Sequence, residues 1–459
     1  MKRIARTRLC LGWIAIVNGR LIWHFCQLSN IMKVVLVQPV GKGLYRVPPL
    51  GLGYLAAMLK RRGFEVEISD LNVESSTAFE ESLSRERPDV VGVSCAIGNA
   101  RQALAVVSKV KTRFPECFVA VGGPYACIMG EAMLVRHWEI DAAVVGEGEV
   151  TFVELLERLQ NRDSLRDVNG LVFRDGSKIR SNSPRDAVEA LDSLPFPARE
   201  KLLMDLYGEN AGVLFTSRGC PYQCVFCSRS VFGKHWRGHS PEYVLTEIQH
   251  LREHYGIRAV SFLDDNFTFD LDRAEKILDR IIAKKWKLSL YFWNGIRVDS
   301  VTKRLLARMK KAGCTAINYG VESADPDVLK GIKKGITLDQ VDKAIRQTRE
   351  AGIKANVFFM VGNPGDTPKV VDKTRKFVER TKVDGVHLSL ATPIPGTEFW
   401  SWVDQNGHWI GYDREELLDW PIDDVEEAYP VFETPNFTGK QRIEAYRKIR
   451  KYLVTKLLT

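Results

Sequence analysis

Short apolar runs alternate with stretches of helical periodicity over the first third of the chain. Val34–Gln38 and Val90–Ser94 are nearly continuous apolar runs rich in β-branched residues, the composition of buried strands. Gly51–Lys60 and Ala100–Phe114 carry apolar residues at helical spacing. Apolar strands that alternate with helices belong in a parallel sheet covered on both faces. We therefore predict a Rossmann-like, doubly wound α/β domain over residues 32–160.

Residues 161–209 break this alternation. Asp175-Gly176 lies between two strand-like runs, which is a hairpin signal, and the prolines of Leu194–Pro197 favour an extended path. We expect a connector with a hairpin here, and a domain boundary near residue 195.

Six strand-like runs alternate with helical patterns over residues 210–397. The first strand is Val213–Thr216 and the last is Gly385–Leu390. Pro241–Tyr255 is the first helix, with Ser240 as its N-cap. Six strand–helix units predict a partial TIM-type barrel, (β/α)6, in which chemistry takes place at the C-terminal ends of the strands.

Residues 398–459 predict a small, mostly helical C-terminal region. An acidic stretch from Asp413 to Glu427 precedes a basic helical tail, Lys440–Leu458. Four tryptophans could line a substrate pocket over the barrel mouth, although a tryptophan-rich stretch is more often core. They are Trp400, Trp402, Trp409 and Trp420.

Charge is concentrated at the beginning of the chain. The sequence has 66 basic and 57 acidic residues, a formal charge of +9, and five of the basic residues lie in residues 1–31 without any acid. The remainder has no basic patch that would indicate a nucleic-acid partner.

The apolar run Leu9–Val17 is too short for a bilayer, which needs about 20 apolar residues. We interpret residues 1–31 as an extension before Met32 rather than a signal peptide or an interfacial helix, and expect no transmembrane segment.

Nine cysteines form an odd, uneven set that does not suggest a secreted disulfide framework, so we expect a reduced, cytoplasmic compartment.

Three of the nine cysteines lie in one loop with the spacing C-x3-C-x2-C: Cys220, Cys224 and Cys227. Thiolates are ligands for iron–sulfur clusters and for zinc. Three thiolates can bind three irons of a cubane and leave the fourth iron open. The alternative is a zinc-stabilised binding module with a Cys3His site, in which His235 or His239 is the fourth ligand.

The cysteine loop resembles the signature of the radical S-adenosylmethionine (SAM) superfamily, C-x3-C-x-aromatic-C, with Phe226 at the aromatic position. The resemblance covers residues 210–395. It implies a [4Fe–4S] cluster on Cys220, Cys224 and Cys227, and SAM bound at the open iron. Reductive cleavage of SAM then yields a 5′-deoxyadenosyl radical, with electrons from a donor such as flavodoxin or ferredoxin.

Other candidate SAM contacts follow from their place at the ends of barrel strands. Asp264 and Asp265 end the second strand, and Arg297 follows the third, where it could pair with the SAM carboxylate. Glu322 and Ser323 end the fourth strand, in a string that looks like the segment of the family that contacts SAM ribose or amine. The alternative for each is an ordinary loop residue or helix cap.

The first domain resembles the cobalamin-binding domain that precedes the barrel in many radical SAM proteins. The matching strings are Pro48–Ala56, Val121–Pro124 and Val145–Glu149. The resemblance implies cobalamin contacts at Pro49, Leu50, Ser94, Gly123 and Glu147. The last three fall at C-terminal ends of strands, where open α/β sheets bind ligands. The cobalt-ligating histidine of methionine-synthase-like domains is missing after the first strand, and relatives can bind cobalamin without it. Glycine-rich turns also occur in any Rossmann-like fold.

This architecture is that of class B radical SAM methylases, and it implies a cobalamin-dependent methyltransferase that acts on an unactivated carbon or a phosphinate centre. A ring-forming or C–C bond-forming enzyme, with or without cobalamin, is the second hypothesis. RNA modification would need an RNA-binding appendage, which the acidic, tryptophan-rich C-terminal region does not resemble. The substrate is expected to be a small molecule, a lipid or a peptide.

Overall fold

The computed structural model of the protein describes residues 14–17, 20–23, 32–41, 46–412, 414 and 429–457. Strands β1 (Ile14–Val17) and β2 (Arg20–Trp23) pair antiparallel. The rest of the predicted extension, part of the loop after the first predicted strand, and most of the acidic stretch with Trp420 lie outside the described residues. In the described part of the chain, no helix is long and apolar enough to cross a membrane.

The first domain is built on a seven-stranded sheet. Its strands are β3 (Lys33–Gln38), β4 (Glu65–Asp70), β5 (Val90–Ser94), β6 (Phe118–Gly122), β7 (Ala142–Val144), β8 (Leu171–Asp175) and β9 (Lys178–Ser181). The spatial order is β4-β3-β5-β6-β7-β8-β9, and the pairs from β4 to β7 are parallel. The order reverses between β3 and β5, which makes a switch point at the carboxyl ends of these strands.

Helices cover both faces of this sheet. They are α1 (Leu50–Arg61), α2 (Ser76–Glu86), α3 (Ala100–Arg113), α4 (Pro124–Met129), α5 (Glu131–Arg136) and α6 (Gly148–Asn161). Alternate side chains of β3 enter different cores: Val34 and Leu36 pack into one hydrophobic cluster, and Val35 and Val37 into another. A strand buried on both faces needs apolar residues throughout, which explains the continuous apolar run in the sequence.

The predicted hairpin belongs to the sheet. Strand β8 pairs antiparallel with β7, and β9 pairs antiparallel with β8, so the sheet continues to Ser181, beyond the domain end predicted at residue 160. All three residues of β7 are buried, and the hairpin covers what would otherwise be an open, apolar edge.

The second domain contains six parallel strands that form the predicted (β/α)6 barrel. The strands are β10 (Val213–Leu214), β13 (Ala259–Phe262), β14 (Ser289–Phe292), β15 (Ala316–Glu322), β16 (Lys354–Val361) and β17 (Gly385–Leu390). The six strands form two three-stranded sheets, and two isolated parallel β-bridges join these sheets, Leu290–Cys314 and Ile296–Tyr319. A small antiparallel ladder of β11 (Ser217–Arg218) and β12 (Arg237–Gly238) stands apart, on either side of the cysteine loop.

The barrel helices begin at side-chain caps. The helices are α7 (Pro241–Tyr255), α8 (Leu271–Lys284), α9 (Lys303–Ala312), α10 (Pro326–Gly331), α11 (Leu338–Glu350) and α12 (Pro368–Arg380). Each first turn receives a cap from the preceding Ser, Asp or Thr side chain, as Ser240 caps α7 through the Tyr243 N–H. Such caps mark helix starts in the sequence.

The C-terminal region packs against the side of the barrel. It comprises α13 (Glu398–Asn406), β18 (His408–Trp409), β19 (Phe432–Glu433) and α14 (Gly439–Leu457). Trp400 is buried, Trp402 and Trp409 pack against the same core, and the rings of Trp400 and Trp409 lie 4.3 Å apart. These three tryptophans are therefore core residues.

Candidate functional site

A narrow neck closes the cysteine loop. Residues 217–218 and 237–238 pair as β11 and β12, and the loop between them carries all three cysteines. Gly219 begins the loop at φ 83°, and a Cβ there would lie 2.2 Å from the His235 carbonyl oxygen. The Cys220 N–H donates to the Gly233 carbonyl over 3.3 Å. Only glycine fits this tight approach, so the sequence Arg-Gly-Cys sets where the first cysteine lies.

The three thiols lie close to one another. The pKa of Cys227 is raised to about 11, first because the surrounding protein partly removes the thiol from water and then because of the charges of Asp265, Cys220 and Cys224. Burial also raises the pKa of Cys220. Thiols of this kind are protonated near neutral pH and are poor free nucleophiles, whereas metal coordination deprotonates a thiol outright. The donor set therefore fits an iron–sulfur cluster better than a reactive cysteine.

The two histidines of the alternative zinc site each contact another residue. His235 pairs with Glu189, with 3.4 Å between His235 Nε2 and Glu189 Oε2. His239 contacts Asp192 through Nδ1 and stacks on the Tyr243 ring. Across the described ranges, no group of three or more His, Cys, Asp or Glu is arranged to hold a single metal ion.

The two aspartates that end the second barrel strand have different surroundings. Asp264 is buried, and its carboxylate accepts hydrogen bonds from Thr216 N–H at 2.6 Å and from the hydroxyls of Thr216 and Ser217 at 2.5 and 2.8 Å. These bonds fasten the strand before the cysteine loop, and the expected contact of Asp264 with SAM stays a prediction. Asp265 accepts from the Gly219 N–H, and its charge raises the pKa of Cys220 and Cys227, so it lies beside the thiols.

Arg297 contacts the cysteine loop and the residues around the third barrel strand. Its guanidinium lies 3.6 Å from the centre of the Tyr222 ring, within the cysteine loop. It also donates to both carboxylate oxygens of Asp299, at 3.0 and 2.8 Å, and to the Lys334 carbonyl. Arg297 therefore supports the cysteine loop from the side of the third strand, and its expected pairing with the SAM carboxylate stays a prediction.

Glu322 ends the fourth strand in a strained conformation. Its φ is 73°, in the left-handed region, at an irregularity in the pairing of β15 with β16. Non-glycine residues held there cost about 1–3 kcal/mol and concentrate at functional sites. Its carboxylate lies 2.8 Å from Lys334 Nζ, and Lys334 lies over the Phe226 ring of the cysteine loop. Ser323, by contrast, is buried in a turn where its hydroxyl accepts from the Asp325 N–H.

A cavity of about 290 Å³ opens at the carboxyl ends of the first domain's strands. Apolar residues and glycines form most of its wall, and Ser94, Gly123 and Glu147 line it as the strand ends predict. A mostly apolar wall of this kind suits close contact with an apolar or aromatic part of a bound cofactor. Gly123 has φ 101°, and its missing Cβ would lie 2.9 Å from the Cys95 carbonyl oxygen.

Pro49 and Leu50 lie beside this cavity rather than in its wall. Pro49 precedes α1, and Leu50 is buried in a small cluster with Tyr54 and Val213 between the two domains. Leu50 thus joins the first domain to the first barrel strand, and the expected contacts of Pro49 and Leu50 with cobalamin stay predictions.

One end of the cavity is charged, and sequence reasoning missed most of this cluster. Arg218 donates to Glu147 at 2.9 Å and to Glu149 at 2.6 Å, and Arg237 donates to Glu147 at 2.5 Å. Sequence reasoning also missed Lys334, the partner of Glu322 at the barrel mouth. Arg218 lies two residues before Cys220, but nothing local in the sequence indicates a partner 71 residues away.

Two family models match the chain in the order that the fold shows. The B12 binding domain matches residues 39–156, and the radical SAM superfamily matches residues 214–378. An uncharacterised methyltransferase of Pyrococcus horikoshii is 36% identical over 443 residues, which cover 94% of each chain. The chain belongs to the cobalamin-dependent radical SAM methyltransferases. This membership confirms the predicted recognition, and with it the [4Fe–4S] cluster, SAM and cobalamin as cofactors.

More distant members agree with this assignment. Cytidylyl-2-hydroxyethylphosphonate methyltransferase of Streptomyces wedmorensis is 28% identical, over 81% of this chain and 82% of that protein. The structure of the radical SAM methyltransferase TsrM from Kitasatospora setae has a TM-score of 0.71 at 21% identity and covers 83% of this chain and 77% of that one. At that identity the TsrM structure supports the fold, which is the predicted Rossmann-like domain followed by the (β/α)6 barrel.

Proposed function

We propose that this methyltransferase transfers a methyl group from SAM to an unactivated carbon or a phosphinate centre of a small-molecule, lipid or peptide substrate. One observation carries the proposal: the glycine-lined cavity and the cysteine loop share a wall, because Glu147 and Arg218 both line the cavity and Arg218 lies two residues before Cys220. When bound, the cluster and SAM supply a hydrogen-abstracting radical, and cobalamin supplies the methyl group. A substrate between the two sites can reach both.

The barrel mouth supplies charge for SAM. The methionine end of SAM carries an amino group and a carboxylate, and Glu322 and Lys334 offer the complementary pair 2.8 Å apart. In this role Glu322 binds the amino group and Lys334 the carboxylate, with Phe226 packed beneath the Lys334 ammonium. The strain at Glu322 supports a functional role, because a strained φ persists where a side chain must be aimed.

The first domain supplies shape. The Ser94 hydroxyl is a polar group in a mostly apolar wall, so it suits a hydrogen bond that orients a bound aromatic group. Gly123 lets that group approach the strand ends closely. Asp265 and Arg297 then fix the cysteine loop from the barrel side, the first through the Gly219 N–H and the second through the Tyr222 ring.

An electron donor is the remaining partner. The Cys227 side chain is exposed, and Cys224 and Cys227 line a second cavity of about 560 Å³ with Arg229 and Lys234. This approach suits a small, acidic redox protein such as flavodoxin or ferredoxin. The need for such a reductant is consistent with a cytoplasmic location.

The test begins with protein purified without oxygen in the presence of hydroxocobalamin. We expect about four irons per chain, with stoichiometric cobalt. With reductant and substrates from each class, S-adenosylhomocysteine and 5′-deoxyadenosine should form in equal amounts with a methylated product. 5′-Deoxyadenosine without S-adenosylhomocysteine would instead favour the ring-forming enzyme, and zinc in place of iron would overturn the proposal.

Cysteine variants provide the matched control. Cys224→Ala should lose the iron and all SAM cleavage, because a loop with two thiols cannot hold the cluster. Cys127→Ala should keep its iron, since Cys127 lines the same second cavity as Cys224 but lies in the first domain, outside the motif. Equal loss of iron in both variants would contradict the assignment of the ligands.

A further inference from the structure

We propose that Glu147 is a positioning residue that clamps the neck of the cysteine loop by bridging Arg218 and Arg237. The proposal rests on the proposed function in one respect, which is that Cys220, Cys224 and Cys227 hold the cluster. It adds a residue of the cobalamin-binding domain that sets the geometry of the cluster loop.

Two like charges face each other across the neck of the cysteine loop, which β11 and β12 form. Arg218 and Arg237 are directly opposite each other in the antiparallel ladder. Like charges at opposed positions destabilise a strand pair, and this pair has only two residues on each side. Without an anion between them, the two arginines would push the ends of the loop apart.

Glu147 supplies that anion from the other domain. Its Oε2 accepts from Arg218 Nη1 at 2.9 Å, and its Oε1 accepts from Arg237 Nη2 at 2.5 Å. Glu149 adds a second carboxylate, 2.6 Å from Arg218 Nη2. Two cations and two anions therefore balance. Burial opposes the charge of Arg218, but Glu149 and Glu147 more than offset this and raise its pKa.

The cluster is buried, so its charges depend on one another. The side chains of Arg218 and Arg237 are 2% and 3% exposed, and those of Glu147 and Glu149 are 5% and 8% exposed. Removing one partner of a buried ion pair is costly because the other charge is left unpaired away from water. This burial separates the cluster from the surface ion pairs of the molecule, which contribute little.

The position of Glu147 in its own domain supports the same role. Glu147 is the residue before helix α6, a position where Ser, Thr, Asp or Asn commonly accepts from the first N–H groups of the helix. The longer Glu147 side chain makes no such bond. Its carboxylate instead crosses to the barrel, where each of its two oxygens accepts from an arginine, so Glu147 holds the neck of the cysteine loop from the first domain.

The clamp couples the two cofactor sites. Glu147 and Arg218 line the first domain's cavity, and the backbone from Arg218 leads through Gly219 to Cys220. A ligand that orders the cavity wall therefore also orders the neck, and linkage requires that the effect be reciprocal. Cobalamin should stabilise the bound cluster through Glu147.

The experiment measures how fast iron leaves the holoenzyme when an iron chelator is added without oxygen. Glu147→Gln keeps the shape but leaves the two arginines with one carboxylate. We expect iron release to be roughly tenfold faster or more, and the slowing by hydroxocobalamin seen with the wild-type enzyme to disappear. Glu154→Gln is the matched control, because it removes a carboxylate from the same helix that pairs with Arg185, away from the loop.

A second substitution that restores the charge balance distinguishes an electrostatic role of Glu147 from a packing role. In the double variant E147Q/R237Q, one like charge has gone from the neck, and Arg218 retains Glu149. We expect iron release to return to within about threefold of the wild-type rate, since one anion now balances one cation. A purely structural role predicts the opposite, because Arg237 also donates to the Val188 and Phe232 carbonyls and its loss would add damage.

The outcomes are distinct. The clamp would be overturned if E147Q and E154Q released iron at the same rate. It would also be overturned if the double variant released iron faster than E147Q does. If E147Q alone fails to fold, the double variant still decides, and Glu149→Gln should show a smaller acceleration because Glu149 reaches only Arg218. A wild-type enzyme without iron would overturn the proposed function and the premise of the clamp together.

Discussion

The two cofactor-facing sites of this protein follow the same topological rule and use opposite chemistry. Both lie at the carboxyl ends of parallel strands, one at the switch point of the first sheet and one at the barrel mouth. The first is a cavity of about 290 Å³ walled mainly by apolar residues and glycines. The second presents charged groups, with Asp265 beside the thiols and a buried Glu322–Lys334 pair. Topology therefore decides where a ligand binds, and the side chains decide how.

The difference matches the ligands. A planar aromatic group is held by close contact over a large apolar area. The cavity wall must therefore surround the group closely, with glycine at positions where a side chain would not fit. The methionine end of SAM is charged, so a site for it must hold opposite charges in fixed places, and the positive φ of Glu322 fits that role in the proposed site.

Gly123→Ala should produce the largest effect, because it tests shape alone. Alanine is strained at φ 101° and ψ −176°, and its Cβ would lie 2.9 Å from the backbone oxygen of Cys95. We expect the free energy of unfolding to fall by about 2–4 kcal/mol, and cobalamin affinity to fall more than tenfold as the wall shifts. Urea unfolding followed by circular dichroism and titration with hydroxocobalamin measure the two effects.

Gly176→Ala is the matched control. Gly176 also has a positive φ, 65°, but lies in the β8–β9 hairpin turn with open space around its Cβ position. It should cost about 1 kcal/mol through the backbone and leave cobalamin affinity unchanged. If both variants bind cobalamin as the wild-type protein does, the cavity does not receive the cofactor.

Much of the architecture could be predicted from local sequence, because local signals set it. Helix α7 begins and ends where the sequence indicates, since Ser240 caps its start and Gly256 its end in the left-handed conformation. Helix α2 was missed because only Phe79 and Leu83 of its eleven residues are buried, too few for an apolar period. The hairpin was predicted, but its pairing with β7 depends on a distant edge that no local signal describes.

The site shows the same limit. Placement at strand ends brought Asp265 to the thiols, but Asp264, one residue earlier, points the other way into hydrogen bonds with Thr216 and Ser217. Sequence position alone cannot separate two neighbouring aspartates. Arg218 and Glu147 meet across 71 residues and two domains, which only the packed structure reveals.

Glu322→Gln tests charge at the barrel mouth and should have an intermediate effect. The carboxylate is lost while the size is kept, so SAM loses one charged contact and Lys334 its partner. We expect SAM to bind roughly 10- to 100-fold more weakly, as for other hydrogen bonds to charged groups. Calorimetric titration of the reconstituted enzyme measures the affinity, and cobalamin affinity should stay unchanged if the two sites differ as proposed.

The neighbouring lysine offers a close control. Lys333 pairs with Glu398 at 2.6 Å, but these side chains are 47% and 56% exposed, against 11% and 10% for Lys334 and Glu322. Glu398→Gln should change stability by less than about 0.5 kcal/mol and leave SAM affinity as it is. Equal losses of SAM affinity in both variants would show that the buried pair has no special part in binding.

Asp366 concerns the pH dependence of stability alone, and it probes a buried acid at the barrel mouth. It lies after β16, where it accepts from the N–H groups of Gly362 and Asn363 at 2.9 Å each. Burial raises its pKa to about 7, with these bonds and the charge of Arg442 opposing the rise. In the unfolded chain an aspartate titrates near its ordinary value, about 4.

The raised pKa fixes the sign of the pH dependence. Below about pH 4 both states are protonated, and the stability from this group is fully present. Between about pH 4 and 7 the folded state binds more protons, so that stability is lost as the pH rises. Relative to Asp366→Asn, which can still accept both N–H bonds, the wild-type protein should therefore lose about 4 kcal/mol across the whole window, of which roughly 2–3 kcal/mol falls between pH 5 and 8. Urea midpoints at pH 5, 6, 7 and 8 measure the difference. Asp372→Asn is the control: the Arg375 hydrogen bond lowers the pKa of this surface carboxyl, so its effect on stability lies below about pH 4, and its difference from wild type should be flat between pH 5 and 8. Parallel curves for wild type and Asp366→Asn would mean that Asp366 is ionised throughout, held by Arg442, and that the barrel mouth is charge-balanced on this side too.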